Sequence, residues 1–434
     1  MKALSYTLIA SSLLLASGVA DVLPFVDVAS VQAEEKKAEK KRRRTPAMNS
    51  RVYSQLARAQ QLADGGQVAE GLEVLDDVKA KSKSLNSYEK AMMYNFYGFI
   101  YYNAERVDEA LASFEQVVEQ SPIPESLEKS TLFSLSQLAM ASGKFEKTLQ
   151  YLERWEAVDG GNVPVKNNVL KAQATYQMKD YEAASKYISS AIEQQIAEGF
   201  APAENWYVLQ RAIYFEMKQP KKVTEVLEVM VRKFNKPEYW VQLGGMYGEI
   251  GEEKKQLAVM EAAFQQGFIT KKSDLRNLSQ IYYLHGLPYK SAVVMEKGFA
   301  TNVLEKNEKN LKFLAQSFVG AKEYEKAIET YRALSNITQD GRADQQIAEL
   351  RLQQGKFKET VSAAKKAAEK GNLENPGNLY LALGMASFNL KQFDQAMAAF
   401  NKATEIKSSK RMATQWLKFV EREKKNAEQL AANS

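Results

Sequence analysis

The chain has no cysteine and a single histidine, His285, among its 434 residues. The first absence excludes disulfides, thiolate nucleophiles, cysteine-held metals and the acylated cysteine of a lipoprotein. The second excludes a histidine pair, a zinc cage or a Ser-His-Asp triad built within the chain. Only ten prolines interrupt it, and runs of β-branched residues are few, so the balance leans to helix. Charge of one sign is scarce as well. The net charge is +6, but residues 34–44 alone hold seven basic and three acidic side chains. From residue 45 onward there are 51 basic and 48 acidic residues, a balance that offers no field for nucleic acid. Apolar residues make up 45% of the sequence, ample for a buried core.

The first 33 residues read as an export signal. Lys2 precedes an uncharged stretch from Ala3 to Ala20 with Leu8, Ile9 and Leu13 to Leu15 at its centre. Val31-Gln32-Ala33 fits the small-x-small cleavage rule just before Glu34, and Gly18-Val19-Ala20 offers a second cut. The expected location is the periplasm. An uncleaved inner-membrane anchor is the alternative, since the stretch is of borderline length for spanning a bilayer. Residues 34–49 form a basic polar linker that contains Lys36, Lys37, Lys40, Lys41 and Arg42 to Arg44. It lacks an apolar period and reads as solvated, or as a weak tether of residues 36–44 to anionic lipid or another polyanion.

Self-similarity governs the rest. Tyr94, Tyr97, Gly98, Tyr101, Ala110, Phe114, Val117 and Pro122 form one set. Trp240, Leu243, Gly244, Tyr247, Met260 and Ala263 form a second, and Tyr380, Leu383, Gly384, Phe393, Ala396, Phe400 and Ala403 a third. Spacings of three, four and seven place each set on one helical face. The small residues allow two helices to approach closely. The pattern resembles the tetratricopeptide repeat, a Trp-Leu-Gly-Tyr helix followed by an Ala-Phe-Ala helix. The residue at the turn between the two helices falls at 66, 105, 143, 179, 218, 251, 286, 322, 355 and 391. An aromatic often follows the turn, as in Gly143-Lys144-Phe145, Lys179-Asp180-Tyr181 and Gly355-Lys356-Phe357.

The expected fold is all-α, a right-handed superhelical solenoid of about ten helix-turn-helix repeats over residues 50–408. Four repeats depart from the pattern. The first has Gln55, Arg58 and Gly71 at signature positions. The fifth is stretched by one residue between Trp206 and Val223, with Pro220 opening its second helix. The seventh takes an insertion at Leu287-Pro288-Tyr289, and the ninth has Arg351 in place of an aromatic. Residues 409–434 form a capping helix with the apolar stripe Met412, Trp416, Leu417 and Val420, followed by a frayed tail.

No catalytic, cofactor or metal site is expected. Gly244, Gly245, Gly248 and Gly251 follow no strand and fall on small-residue positions of a repeat helix and its turn. Ser87-x-x-Lys90 and Ser126-x-x-Lys129 lack the partner motifs of penicillin-recognising enzymes. Asp76-Asp77 and Glu252-Glu253 read as solvated faces, and His285 sits at a turn.

The resemblance implies a concave channel lined by first helices, used for peptides and partner surfaces. Its groove positions fall on Asn95, Phe99, Tyr102, Asn103, Phe133, Gln137, Met140, Gln173 and Tyr176, aromatics and amides suited to a semi-polar partner. The competing reading packs several of these aromatics between repeats. The lysine-asparagine clamp of chaperone adaptors is not visible, since Met92 and Phe96 stand where its polar groups are expected. Over its length the chain also looks like exported repeat proteins associated with TonB-ExbB-ExbD systems of Gram-negative bacteria, chiefly over Arg51 to Ala57 and Gly251 to Gly267. That implies a periplasmic adaptor accessory to TonB-dependent energy transduction. Two alternatives are a chaperone-like assembly factor for envelope machinery and a peptidoglycan-associated enzyme that uses the solenoid as scaffold. Expected partners are proteins or peptides of the cell envelope.

The leader has a direct test. Intact-mass analysis of fractionated cells is expected to show a periplasmic protein beginning at Glu34. A start at Asp21 moves the cut, and Met1 in the membrane fraction establishes the anchor.

Overall fold

The computed structural model describes residues 45–432. The leader, both cut sites and the linker through Arg44 lie outside them. Apart from a single 3-10 turn at Ser82–Ser84, the regular structure among the described residues is α-helical, with no strand. The first five helix pairs are α1 (Ser50–Asp64) with α2 (Val68–Ala80), α3 (Ser87–Asn103) with α4 (Val107–Glu119), α5 (Glu125–Ala141) with α6 (Phe145–Val158), α7 (Val165–Gln177) with α8 (Tyr181–Ala197), and α9 (Glu204–Glu216) with α10 (Pro220–Phe234). The next five are α11 (Pro237–Glu249) with α12 (Glu253–Gln265), α13 (Lys272–Leu284) with α14 (Pro288–Ala300), α15 (Glu308–Gly320) with α16 (Tyr324–Thr338), α17 (Arg342–Gln353) with α18 (Phe357–Lys370), and α19 (Pro376–Asn389) with α20 (Phe393–Thr404). A last helix, α21, spans Lys410–Ala432. Contacts divide the chain inside α10 into two compact units, ending at Val226 and starting at Leu227. Within each unit packing follows chain order: α3 on α4, α4 on α5, α5 on α6, and likewise α15 through α18. This is the helix-pair stack that the period implies.

Ten three-residue turns join the pairs, and all ten turn residues counted from the sequence have a left-handed backbone. Five are glycines, such as Gly143 at φ 70°, and the others are Glu105, Lys179, Lys218, Lys322 and Lys391, with φ from 55° to 62°. The conformation lets two successive N–H groups return to the helix just ended. At Lys322 they reach Val319 and Phe318 carbonyls at 3.0 and 2.9 Å, closing the orphan ends of α15. A side chain in this region costs about 1 kcal/mol or more, which explains why half of the ten are glycine.

The same geometry corrects the two irregular registers. No insertion occurs in the seventh pair. Its turn is three residues like the rest, and Pro288 is the first residue of α14, where its missing N–H leaves nothing unpaired. Nor is the fifth pair stretched. Eleven residues before Lys218 stands Tyr207, buried at 3%, and it takes the signature place assigned to its neighbour Trp206.

Inside most pairs, the residue seven before the turn is small and lies under a larger one nine after it; the fifth pair, with Arg211 there, and the ninth, with Ala348 under Ala364, depart from this. A Cβ on Gly98 would stand 2.6 Å from Cε1 of Phe114. The same holds for Gly244 against Met260 Sδ at 2.5 Å and Gly384 against Phe400 Cε1 at 2.6 Å. Gly71, one of the departures in the first repeat, is another close approach, its missing Cβ 2.7 Å from the Ala59 carbonyl. Between repeats, Glu89 caps α3 through Asn86 and also accepts the Asn49 N–H at 2.9 Å, pinning α3 to the start of α1.

Three buried charged side chains are held by ion pairs. Buried Lys171 reaches Glu156 at 2.6 Å. Asp344, where other repeats place an aromatic, takes Lys370 at 2.8 Å, Lys366 at 3.1 Å and the Ser335 hydroxyl at 2.7 Å. Arg351 is buried and paired with Glu325 at 2.6 Å and Glu359 at 2.7 Å. Hydrogen bonds from Arg351 and Lys356 hold the Glu325 carboxyl at a pKa of about 2.

At the far end Ala413, Trp416, Leu417 and Val420 of α21 cover the stacking face of the last pair, Trp416 lying 5.5 Å from Phe400. Met412 is half exposed and outside this stripe, its place taken by Ala413. The helix continues to Ala432 where a frayed tail was expected, with Lys424 tied to Asp394 at 2.5 Å.

Gly98→Ala is expected to destabilise by about 1–3 kcal/mol through overpacking, although alanine is the better helix former. Adding Phe114→Leu is expected to restore part of that loss. Gly245→Ala, one residue beyond that register and with open space around it, is expected to stabilise by about 1 kcal/mol. Urea unfolding monitored by circular dichroism checks all three.

Candidate functional site

Because seam residues recur at three and four, the first helix of each pair keeps a second face clear of the seam. Residues ten, six and three before the turn residue share that face. In the second pair these are Asn95, Phe99 and Tyr102, with exposed Asn103 beside them. In the third they are Phe133, Gln137 and Met140, and in the fourth Gln173 and Tyr176 join them. All except Asn103 are half-buried.

Several of these aromatics serve the core as well. Phe99, Tyr102 and Phe133 rest on a cluster that includes Phe114, Leu135 and Trp155. Phe99 meets Phe114 edge to face at 5.3 Å. Phe99 therefore also belongs to the fold, because the bare Gly98 lets the Phe114 ring sit close enough to α3 to touch the next residue too. Tyr176 lies 5.7 Å from the turn aromatic Tyr181. Burial, with Glu216 nearby, raises its hydroxyl pKa. Gln137 leaves its Oε1 buried without a hydrogen-bond partner. Lys166 sits over the Phe133 ring at 4.2 Å. Tyr94, assigned to the seam, touches the clusters on both sides of α3.

A cleft of about 460 Å³ opens on the corresponding face in the second unit. Tyr283, Lys312, Gln316, Val319 and Arg342 line it from α13, α15 and α17, and Glu374 and Gln346 complete its rim. Lys312 stands ten residues before its turn residue, Gln316 six, Tyr283 and Val319 three, and Arg342 thirteen. All but Arg342 repeat the offsets of Asn95, Phe99 and Tyr102. Continuing the count past the fourth repeat was the signal that finds them.

The cleft carries charges of both signs. Arg342 reaches Asp340 at 2.5 Å and Glu308 at 3.1 Å, while Lys312 is 3.9 Å from Glu374. Burial works against the Asp340 carboxylate, but the Arg342 guanidinium and N–H outweigh it and hold the pKa below its usual range. The loop bearing both is pinned by Gly341, whose N–H donates to the Gly371 carbonyl at 2.8 Å. A Cβ there would lie 2.2 Å from the Ala367 carbonyl. Burial, with Glu374 and Glu349 nearby, pushes the Tyr331 hydroxyl up to about 12. The amides of Gln316 and Gln346 complete a surface rich in hydrogen-bonding groups. Among the described residues no group of His, Asp or Glu is suited to a metal ion, and none of their helices is long and apolar enough to cross a membrane.

A family model for the tetratricopeptide repeat matches residues 91–124 and 377–410, the second and tenth helix pairs. Those two helix pairs match the tetratricopeptide repeat. A search of curated proteins finds no match. Several solved structures resemble it at low identity. The structure of Naa15/Naa10 bound to HypK-THB is 11% identical, with a TM-score of 0.43 over 86% of this chain and 62% of that one. A tetratricopeptide repeat protein from Parabacteroides merdae is 16% identical, with a TM-score of 0.30 over 59% of this chain and 98% of that one. YrrB, described as a TPR protein with an unusual peptide-binding site, is 13% identical, with a TM-score of 0.34 over 43% of this chain and 95% of that one. Likenesses of this size identify nothing that the chain binds.

Phe99→Ala is expected to destabilise by about 2–4 kcal/mol, because it removes a ring that the repeat core uses. Asn103→Ala, on the same face but exposed, is expected to change stability by less than about 0.5 kcal/mol. Thermal melts of the two variants separate core duty from surface duty on this helix.

Proposed function

We propose that this chain is a binding scaffold that holds an extended segment of a partner protein against the first-helix faces of its repeats. The observation that carries the reading is the 460 Å³ cleft, lined by residues at the groove offsets of the seventh and eighth repeats and by Arg342 and Gln346 of the ninth. Its amides suit the N–H and C=O groups of a peptide backbone, and its paired charges of both signs suit polar side chains. A volume of this size takes a few residues of an extended chain.

The finer reading places the scaffold in the periplasm, on the strength of the leader sequence. Its resemblance to exported repeat proteins of TonB-ExbB-ExbD systems makes it an accessory of that machinery, with an envelope protein as the partner.

Site-specific photo-crosslinking in intact cells tests the binding face. A photoreactive residue at Gln316 or Gln346 is expected to give one discrete adduct, and the same residue at exposed Glu329 on the second helix is expected to give none. Equal adducts from both faces, or adducts from Glu329 alone, would sink the groove reading. Mass spectrometry of the adduct then identifies the partner and decides the TonB link.

A further inference from the structure

Tyr331 of α16 carries a hydroxyl that the packing around it does not use. It stands nine residues after its turn residue, where the second helix presses on the first. Every other repeat places an apolar side chain there, Phe114 and Phe400 among them, so the ring alone serves the seam. Tyr331 is 4% exposed, yet it lines the cleft of the second unit. Among the described residues its hydroxyl has no hydrogen-bond partner, and it remains open to solvent. Glu374 and Tyr283, both residues of the cleft, act on it electrostatically, which places it towards the cavity. A phenol able to donate and to accept at the floor of a cavity is a fixed polar contact for a ligand.

The surrounding charges decide which ligand. Three lining carboxylates, Glu308, Asp340 and Glu374, face two cations, Lys312 and Arg342. Arg342 is committed to Asp340 at 2.5 Å and Glu308 at 3.1 Å. Lys312 meets Glu374 at only 3.9 Å, with both side chains well exposed, so that pair is weak and yields to a competitor. Glu349 adds a further negative charge beside the Tyr331 hydroxyl. An anion entering here meets repulsion, and a cation meets attraction. The phenol oxygen accepts from an ammonium or guanidinium N–H. The Tyr283 ring, 39% exposed and braced by Phe313 at 5.6 Å, gives such a cation an aromatic face.

We propose that this cleft is a specificity pocket for a lysine or arginine side chain of the bound partner segment, held by the Tyr331 hydroxyl and the Glu374 carboxylate beside the Tyr283 ring. The inference rests on the groove reading above and adds the charge of the segment that the second unit takes. Lys312 is then an internal competitor, which the arriving side chain displaces from Glu374.

The test uses the full chain and three acetylated, amidated twelve-residue peptides in which Thr alternates with Lys, Gln or Glu. At low salt, calorimetry on the wild type is expected to show the Lys peptide bound about tenfold more tightly than the Gln peptide, with the Glu peptide weakest. Tyr331→Phe removes only the hydroxyl and puts in the seam the residue that two other repeats use. It is expected to lose about fivefold in affinity for the Lys peptide, to keep its affinity for the Gln peptide and to melt no lower than the wild type. Glu374→Gln is expected to lose most of the preference as well. Lys312→Met, which removes the competitor, is expected to bind the Lys peptide more tightly than the wild type does. If the Lys and Gln peptides bind the wild type equally, if the Glu peptide is preferred, or if Tyr331→Phe keeps the preference, the pocket is overturned and the groove reading stands. Weaker binding of the Lys peptide to Lys312→Met also overturns it. If no peptide binds, both readings fall.

Discussion

Close approach of two helices over a small residue is the constraint on which the rest of this structure depends. Under three large side chains of the second helix the first is stripped to glycine: Gly98 under Phe114, Gly244 under Met260 and Gly384 under Phe400. Elsewhere alanine or serine suffices: Ala59 pairs with Leu75, Ala172 with Ile188, Ser279 with Met295 and Ala315 with Tyr331, all buried. The two positions together fill the space between the paired helices, as a close-packed interior requires. Because this packing is local to each pair, stability is close to a sum of pair and nearest-neighbour terms.

Contacts at the junctions between pairs, and within the ninth pair, are less uniform, and charge enters there. Lys171 with Glu156, Asp344 with two lysines, and Arg351 with two glutamates occupy places that aromatics or aliphatic residues fill elsewhere. A buried pair of this kind contributes little net stability against an apolar replacement, yet removing one partner is costly. Such pairs distinguish one repeat from the next, so a repeat cannot dock equally well on any other. The ninth repeat departs from the aromatic pattern twice, at Asp344 and Arg351. Both departures are resolved by partners on flanking helices.

Much of the helical plan was legible from the residues. All ten turn residues could be counted because the left-handed turn needs glycine or tolerates a few polar residues, and the close seam needs a small one. The irregular repeats were harder to read. Trp206 looks like a signature aromatic, but its neighbour Tyr207 is the one that turns inward. Pro288 looks like an insertion, but it is an ordinary first residue of a helix. One-dimensional spacing cannot choose between adjacent aromatics, since the choice depends on which one the turn geometry brings to the seam. The face carrying Asn95, Phe99 and Tyr102 was also legible. The double duty of Phe99 was not, because it follows from how near a ring on α4 comes to α3.

The sequence by itself determined the helix pairs, their turns and the face left clear of the seam. Those depend on local backbone preference and on the 3.6-residue period, which every repeat restates. Only the tertiary structure decided where that face deepens into a cleft and which charges are paired. Lys312 and Arg342 find acidic partners across a loop held by Gly341, whereas Lys166 lies over two rings and feels the charges of Lys129 and Asp159. That difference arises from distances between side chains some thirty residues apart in the chain, at separations set by how neighbouring pairs stack.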